Sequence, residues 1–204
     1  MSCLLACVMV AWVAPVSAGY GQKEETVAVG VGRDARRSVS DARKPESKSN
    51  GGARKTPCDE TLIEPPAGHT IDEIQELEGT CLEEVNHLRV AHNIIAMVAD
   101  RELLAVARAY SKQMAEQHFF SHIDPQGRDV RQRLEKAGIT WRMVGENLSY
   151  SNGYINPVAT SVRGWMNSTG HRRNILEGRY NDSAIGVWIA SDGTIYFTEI
   201  FLRK

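Results

Sequence analysis

The C-terminal end of the chain constrains the fold most. Ala184-Ile185-Gly186-Val187-Trp188-Ile189 and Ile195-Tyr196-Phe197-Thr198-Glu199-Ile200-Phe201 are β-rich runs joined through Ser191-Asp192-Gly193, the pattern of a β-hairpin. Both runs are apolar at successive positions rather than at alternate ones, so both faces of their sheet need covering. Helical patterns fill the middle of the chain. The expected architecture is therefore α/β, a three-layer α-β-α sandwich around a central, mainly antiparallel sheet.

Four helices are expected. Apolar residues recur at Leu82, Val85, Leu88, Ile94 and Ile95 between Cys81 and Ala96, which predicts a first amphipathic helix. Asp100 is placed to cap a second, running through Leu103, Leu104, Ala107, Tyr110 and Met114. A third spans Asp129 to Lys136 and ends at Gly138, and a fourth spans Pro157 to Met166 with its proline in the first turn.

The N-terminal third reads differently. Leu4 to Ala14 is an uncharged apolar run and Val16-Ser17-Ala18 a small-residue cleavage site, so residues 1–18 are read as a signal peptide. The run is shorter than the ~20 residues of a membrane span, and no anchor is expected in the mature chain. Residues 19–57 carry hardly any large apolar side chain after Val31 and are expected to form a disordered linker. From Lys23 to Lys55 nine basic residues oppose five acidic ones, which leaves the remainder acidic in a chain of net charge −1. An acidic folded part excludes nucleic-acid binding by that part. The folded domain is expected over residues 58–204, with its core over 81–204, as a monomer.

Cleavage after Ala18 would remove Cys3 and Cys7, leaving Cys58 and Cys81. An even number of cysteines in an exported chain suggests a Cys58–Cys81 disulfide, with two unpaired thiols as the alternative. The bridge would close a loop of roughly two dozen residues and contribute about 3 kcal/mol.

Three segments concentrate ionisable groups beside turn residues: His118-Phe119-Phe120-Ser121-His122, then Gly145-Glu146-Asn147-Leu148, then Ser168-Thr169-Gly170-His171-Arg172-Arg173-Asn174-Ile175-Leu176. His122 follows the second helix, Glu146 sits in an expected Gly-Glu-Asn turn and His171 follows a helix end. Each can project onto one cleft. Two imidazoles and a carboxylate suit a divalent metal such as Zn2+ with one position open, but the spacing is long-range, and on spacing alone satisfied structural roles are the preferred reading. Arg172 and Arg173 read either as a clamp for an anionic ligand or as solvated side chains. Trp141, Trp165 and Trp188 read as core or cleft-wall aromatics. Ser121 and Ser168 lie near histidines in the chain, but no Gly-x-Ser-x-Gly elbow is present, so a serine hydrolase is set aside.

The order HFFSH, GENL, WMNSTGHRRNIL, IGVW and YFTEIF resembles the CAP superfamily of cysteine-rich secretory, antigen 5 and plant pathogenesis-related proteins, also called the SCP domain, and looks closest to its short bacterial branch. The resemblance covers Cys81 to Lys204. It implies an α-β-α sandwich with a cleft lined by two histidines and two glutamates, three of which match His122, Glu146 and His171. The fourth position falls on Ser168, a neutral hydroxyl where relatives supply glutamate. That departure weakens any mechanism needing two carboxylates. Glu199 is either a replacement for the missing acid or a buried structural acid paired with an arginine.

The expected function is a secreted or cell-envelope binding module without enzymatic activity. His122, Glu146, His171, Asn147 and Ser168 form its ligand cleft, the first three serve as metal ligands, and the natural ligand is an envelope component. The alternatives are a metal-assisted hydrolase of peptide or cell-wall material and, on the family resemblance alone, a lipid- or sterol-binding protein.

Overall fold

The computed structural model describes residues 30–31 and 68–204. The signal peptide, its cleavage site, most of the 19–57 linker and Cys58 lie outside the described residues. In chain order the elements are β1 (Gly30–Val31), α1 (Ile71–Ala91), β2 (Val98–Ala99), α2 (Arg101–Glu116), α3 (Val130–Lys136), β3 (Met143–Ser151), α4 (Pro157–Asn167), α5 (Thr169–Ile175), β4 (Asp182–Ile189) and β5 (Ile195–Arg203).

The sheet order is β1-β3-β5-β4-β2, antiparallel throughout except for the short β2–β4 pair. Alternation along the strands sends side chains to two cores. Ile185, Val187, Phe197 and Phe201 pack with Ile74, Cys81 and Val85 of α1, Val158, Val162 and Trp165 of α4, and Ile175 of α5. Val144, Ala184, Ile200 and Leu202 face the other way, onto Leu103 and Ala107 of α2 and Val130 and Leu134 of α3. The three-layer sandwich is thus formed by α1, α4 and α5 on one face and by α2 and α3 on the other.

Several boundaries follow from local chemistry. Asp100 caps α2 by accepting from the amides of Glu102 and Leu103, and Asp129 caps α3 in a capping box with Gln132. The hairpin turn places Gly193 at φ +81, a conformation glycine adopts without a steric cost. Helix α1 differs from the expectation of 81–96. It begins ten residues earlier at Ile71, behind a Thr70–Glu73 capping box, because its buried stripe runs through charged Glu78 and Arg89 as well as Ile74, Cys81 and Val85. It also stops sooner: Asn93 takes φ 59, leaving Ile95 exposed beyond the end.

Cys81 is a fully buried free thiol in the core, so the expected Cys58–Cys81 bridge is not formed in this structure. Burial pushes its thiol pKa up, which makes it a poor nucleophile. Gly30 and Val31, inside the segment read as a linker, pair with Val144 and Met143 at the sheet edge. Among the described residues no helix is long and apolar enough to cross a membrane.

Candidate functional site

The centre of the site is Glu146, which lies inside strand β3 rather than in the expected turn. The polar run Gly145-Glu146-Asn147 hides the strand because all three residues are buried. Gly145 is required there: a Cβ would meet the Tyr180 hydroxyl at 2.6 Å and Asn174 Oδ1 at 3.2 Å. The backbone is held by neighbouring side chains, since Trp165 Nε1 donates to the Leu148 carbonyl at 2.9 Å and Asn174 Nδ2 to that of Glu146 at 3.2 Å.

The Glu146 side chain is 1% exposed and both its oxygens are engaged. His122 Nδ1 lies 2.8 Å from Oε1, and facing a carboxylate that nitrogen is the donor. Arg133 of α3 donates to Oε2 and stacks its guanidinium on the Tyr110 ring, 3.2 Å from the centroid. The Tyr110 hydroxyl in turn donates to the Ser121 carbonyl at 2.6 Å, and Ser121 Oγ accepts from the Ile123 amide at 3.1 Å. These bonds fix the loop that carries His122. The sequence alone does not mark Arg133 and Tyr110 as site residues, although Arg133 shares a helical stripe with Val130, Leu134 and Ala137, where an isolated charge signals a buried partner.

His171 arrives from the opposite layer. It follows the end of α4, as expected, but stands within a further helix, α5, rather than on a loop, because Ser168 closes α4 and opens α5 with a single extended residue. The His122 and His171 rings lie 6.3 Å apart between centroids, tilted by 50°. Desolvation first, and then the neighbouring His122, hold the His171 pKa down at about 4, so its imidazole is neutral at ordinary pH.

Asn147, expected to line the cleft, is fully buried. It points to the other face of β3, donates to the His171 carbonyl at 3.2 Å and accepts from Asn174 at 3.0 Å. Its role is to position α5 against the sheet. Ser168 is half-buried and its side chain makes no cap bond. Glu199 pairs in register with Asn147 and is fully buried, whereas Glu146 pairs with Ile200 and so faces the opposite way. Glu199 does not replace the missing acid beside the histidines. Ser183 Oγ reaches its Oε1 at 3.5 Å and the charge of Arg89 compensates it, but burial dominates and pushes its pKa well up. Arg89 donates to the carbonyls of Ile95, Ile175, Glu177 and Tyr180.

Among the described residues no group of three or more His, Cys, Asp or Glu side chains is arranged to hold a metal. Glu146 is already taken by His122 and Arg133, which leaves the two imidazoles as the donors available to a ligand.

In this α-β-α sandwich a carboxylate-held histidine from one layer faces a second histidine from the other. The model of the cysteine-rich secretory protein family, CAP, matches residues 82–201, and the chain belongs to that family. It is 31% identical over 127 residues to the uncharacterized membrane protein YlbC of Bacillus subtilis (strain 168), a match covering 62% of this chain and 34% of YlbC. An extracellular SCP-domain protein from Bacillus anthracis str. Ames superposes with a TM-score of 0.55 and 26% identity, over 67% of this chain and 44% of that one. An outer surface protein from Borrelia burgdorferi shares the fold with a TM-score of 0.60 and 22% identity, over 67% of this chain and 98% of that one. The chain thus spans less than half the length of YlbC and of the B. anthracis protein.

Proposed function

We propose that the protein is an exported binding module that captures a ligand, a component of the cell envelope, at the paired imidazoles of His122 and His171. The observation that carries this reading is the convergence of two histidines from opposite layers to 6.3 Å, each held by a dedicated support: Glu146 for His122 and Asn147 for the backbone of His171. Preorganisation of this kind favours binding. The Ser121 hydroxyl is committed to its own loop, which speaks against nucleophilic catalysis. The apolar leader over 4–14 and the kinship with extracellular and outer-surface proteins support export.

A divalent metal, zinc first, fits the two imidazoles. An Nδ1 bond to a carboxylate is the usual support of a metal-ligating histidine and leaves Nε2 outward, and His171 is held neutral, the ligating form. Glu146 would act as the orienting partner of His122 rather than as a ligand. A bound zinc would supply Lewis acidity towards a carbonyl or a water. Zinc titration by calorimetry tests this: stoichiometric binding by the full chain, lost in a His122→Ala/His171→Ala double variant, is the expected result. No binding in either protein removes the metal and leaves a ligand site of two imidazoles.

One observation favours a second reading. The Glu146–His122 contact is a carboxylate–imidazole pair of the sort that serves as general base, as a hydrolase of peptide or cell-wall material would need. Turnover of such a substrate, abolished by Glu146→Gln, would replace the binding reading.

A further inference from the structure

On the outer side of α5, away from the histidines, lies a depression of about 370 Å³ lined by Met166, Asn167, Thr169, Arg172, Arg173 and Leu176. Its size falls within the range of small-ligand sites. Thr169, Arg172, Arg173 and Leu176 stand at i, i+3, i+4 and i+7, one continuous stripe, while Asn174 and Ile175 turn into the core. The C-terminal turn of α4 supplies the facing wall. Arg172 and Arg173 are exposed, and among the described residues neither guanidinium has a hydrogen bond or ion pair.

Most other arginines of the domain are engaged. Arg89, Arg108, Arg128, Arg131, Arg133 and Arg179 are tied to carbonyls or carboxylates. The exception around the depression is written into the sequence: from Asn147 to Leu176 there is no Asp or Glu, and Arg163, Arg172 and Arg173 are the charged residues. Arg163 stands on α4 one turn before Met166 and Asn167. Exposed guanidiniums beside a concavity with no carboxylate in the same stretch of chain raise the local concentration of an anion there.

We propose that this depression binds a phosphate ester, held by Arg172 and Arg173, with the apolar part of its carrier lying on Met166 and Leu176. Guanidinium forks match phosphate oxygens in pairs, and Asn167 and Thr169 add neutral polar groups to the rim. The site is separate from the histidine pair and its test does not involve His122 or His171.

The full chain is titrated with glycerol phosphate and sedimented with phosphatidylcholine vesicles containing or lacking phosphatidate. Arg172→Gln/Arg173→Gln is compared with Arg101→Gln/Arg142→Gln, which removes the same charge at exposed positions elsewhere. Near-UV circular dichroism confirms that both variants fold. The expected result is binding to one or both phosphate probes that weakens at least about tenfold in the first variant and stays unchanged in the second. Loss on both probes assigns recognition to the phosphate alone, and loss on vesicles only assigns it to the anchored headgroup. Absence of binding by the unaltered chain, or equal weakening in both variants, overturns the proposal.

Discussion

The imidazoles of His122 and His171 stand 6.3 Å apart between ring centroids, although one rides on the loop after α2 and the other on α5, across the sheet. That closeness lets His122 act on the charge state of His171. The His171 pKa, held at about 4 by burial and by the neighbouring ring, is lower than its ordinary value of about 6.5 in the unfolded chain. Between these values the unfolded chain binds more protons, so stability rises with pH through that window and is lost as pH falls. With allowance for partial solvent access, the loss on acidification from neutral pH to 4 is about 1–2 kcal/mol. Urea unfolding across this range should show it, and His171→Phe should flatten the slope.

Removing one partner of the buried pair exposes the cost of the other. Arg133→Met leaves the Glu146 carboxylate buried with His122 alone and strips the stacking on Tyr110. A loss of about 3–5 kcal/mol is expected by chemical denaturation. Charge-preserving Arg133→Lys recovers only part of it, since it cannot stack as a plane.

Two glycines in strands predict different penalties. At Gly186 an added Cβ meets the α2 backbone, 2.1 Å from Arg108 N and 2.2 Å from Ala107 C, so Gly186→Ala must push a whole helix off the sheet. At Gly145 the obstacles are side-chain atoms of Tyr180 and Asn174. Gly145→Ala should cost about 1–3 kcal/mol, and Gly186→Ala more than that, enough to lower soluble yield. Thermal unfolding of both variants checks the order.

Glu199 titrates in the opposite sense to His171. Its pKa is raised by burial, so the native state holds the proton more tightly, and stability is greatest below about 4.5 and falls as pH climbs through the folded value. Glu199→Gln keeps the shape of the neutral acid. Its stability relative to the parent should improve as pH rises, which paired denaturation curves at acidic and neutral pH will show.

Much of the fold was legible because its signals are local. Asp100, Asp129 and Pro157 mark helix starts that the structure keeps, and the β4–β5 hairpin declares itself by two doubly apolar runs around Gly193. Two of the failures share one cause, burial of polar side chains. Glu78 and Arg89 break the apolar stripe of α1, and Glu146 and Asn147 disguise β3 as a turn, because their partners come from elements remote in sequence. His122, Glu146 and His171 could be grouped by motif, whereas Arg133 and Tyr110, which lock Glu146 and the His122 loop, emerge only when α2 and α3 are laid on the sheet.

The Arg108–Glu78 pair has a consequence beyond stability. Arg108 reaches from α2 to Glu78 of α1, at 2.7 and 2.6 Å, and Glu78 Oε1 accepts from the Val187 amide at 3.1 Å. Strand β2 covers only Asp182 and Ser183 of β4, and the carboxylate occupies a backbone donor beyond it. An open donor row of this kind is where a second molecule would add its own strand and start a growing stack. The Arg108–Glu78 pair places charged side chains at that edge, the kind of feature that blunts an exposed strand against pairing with another chain.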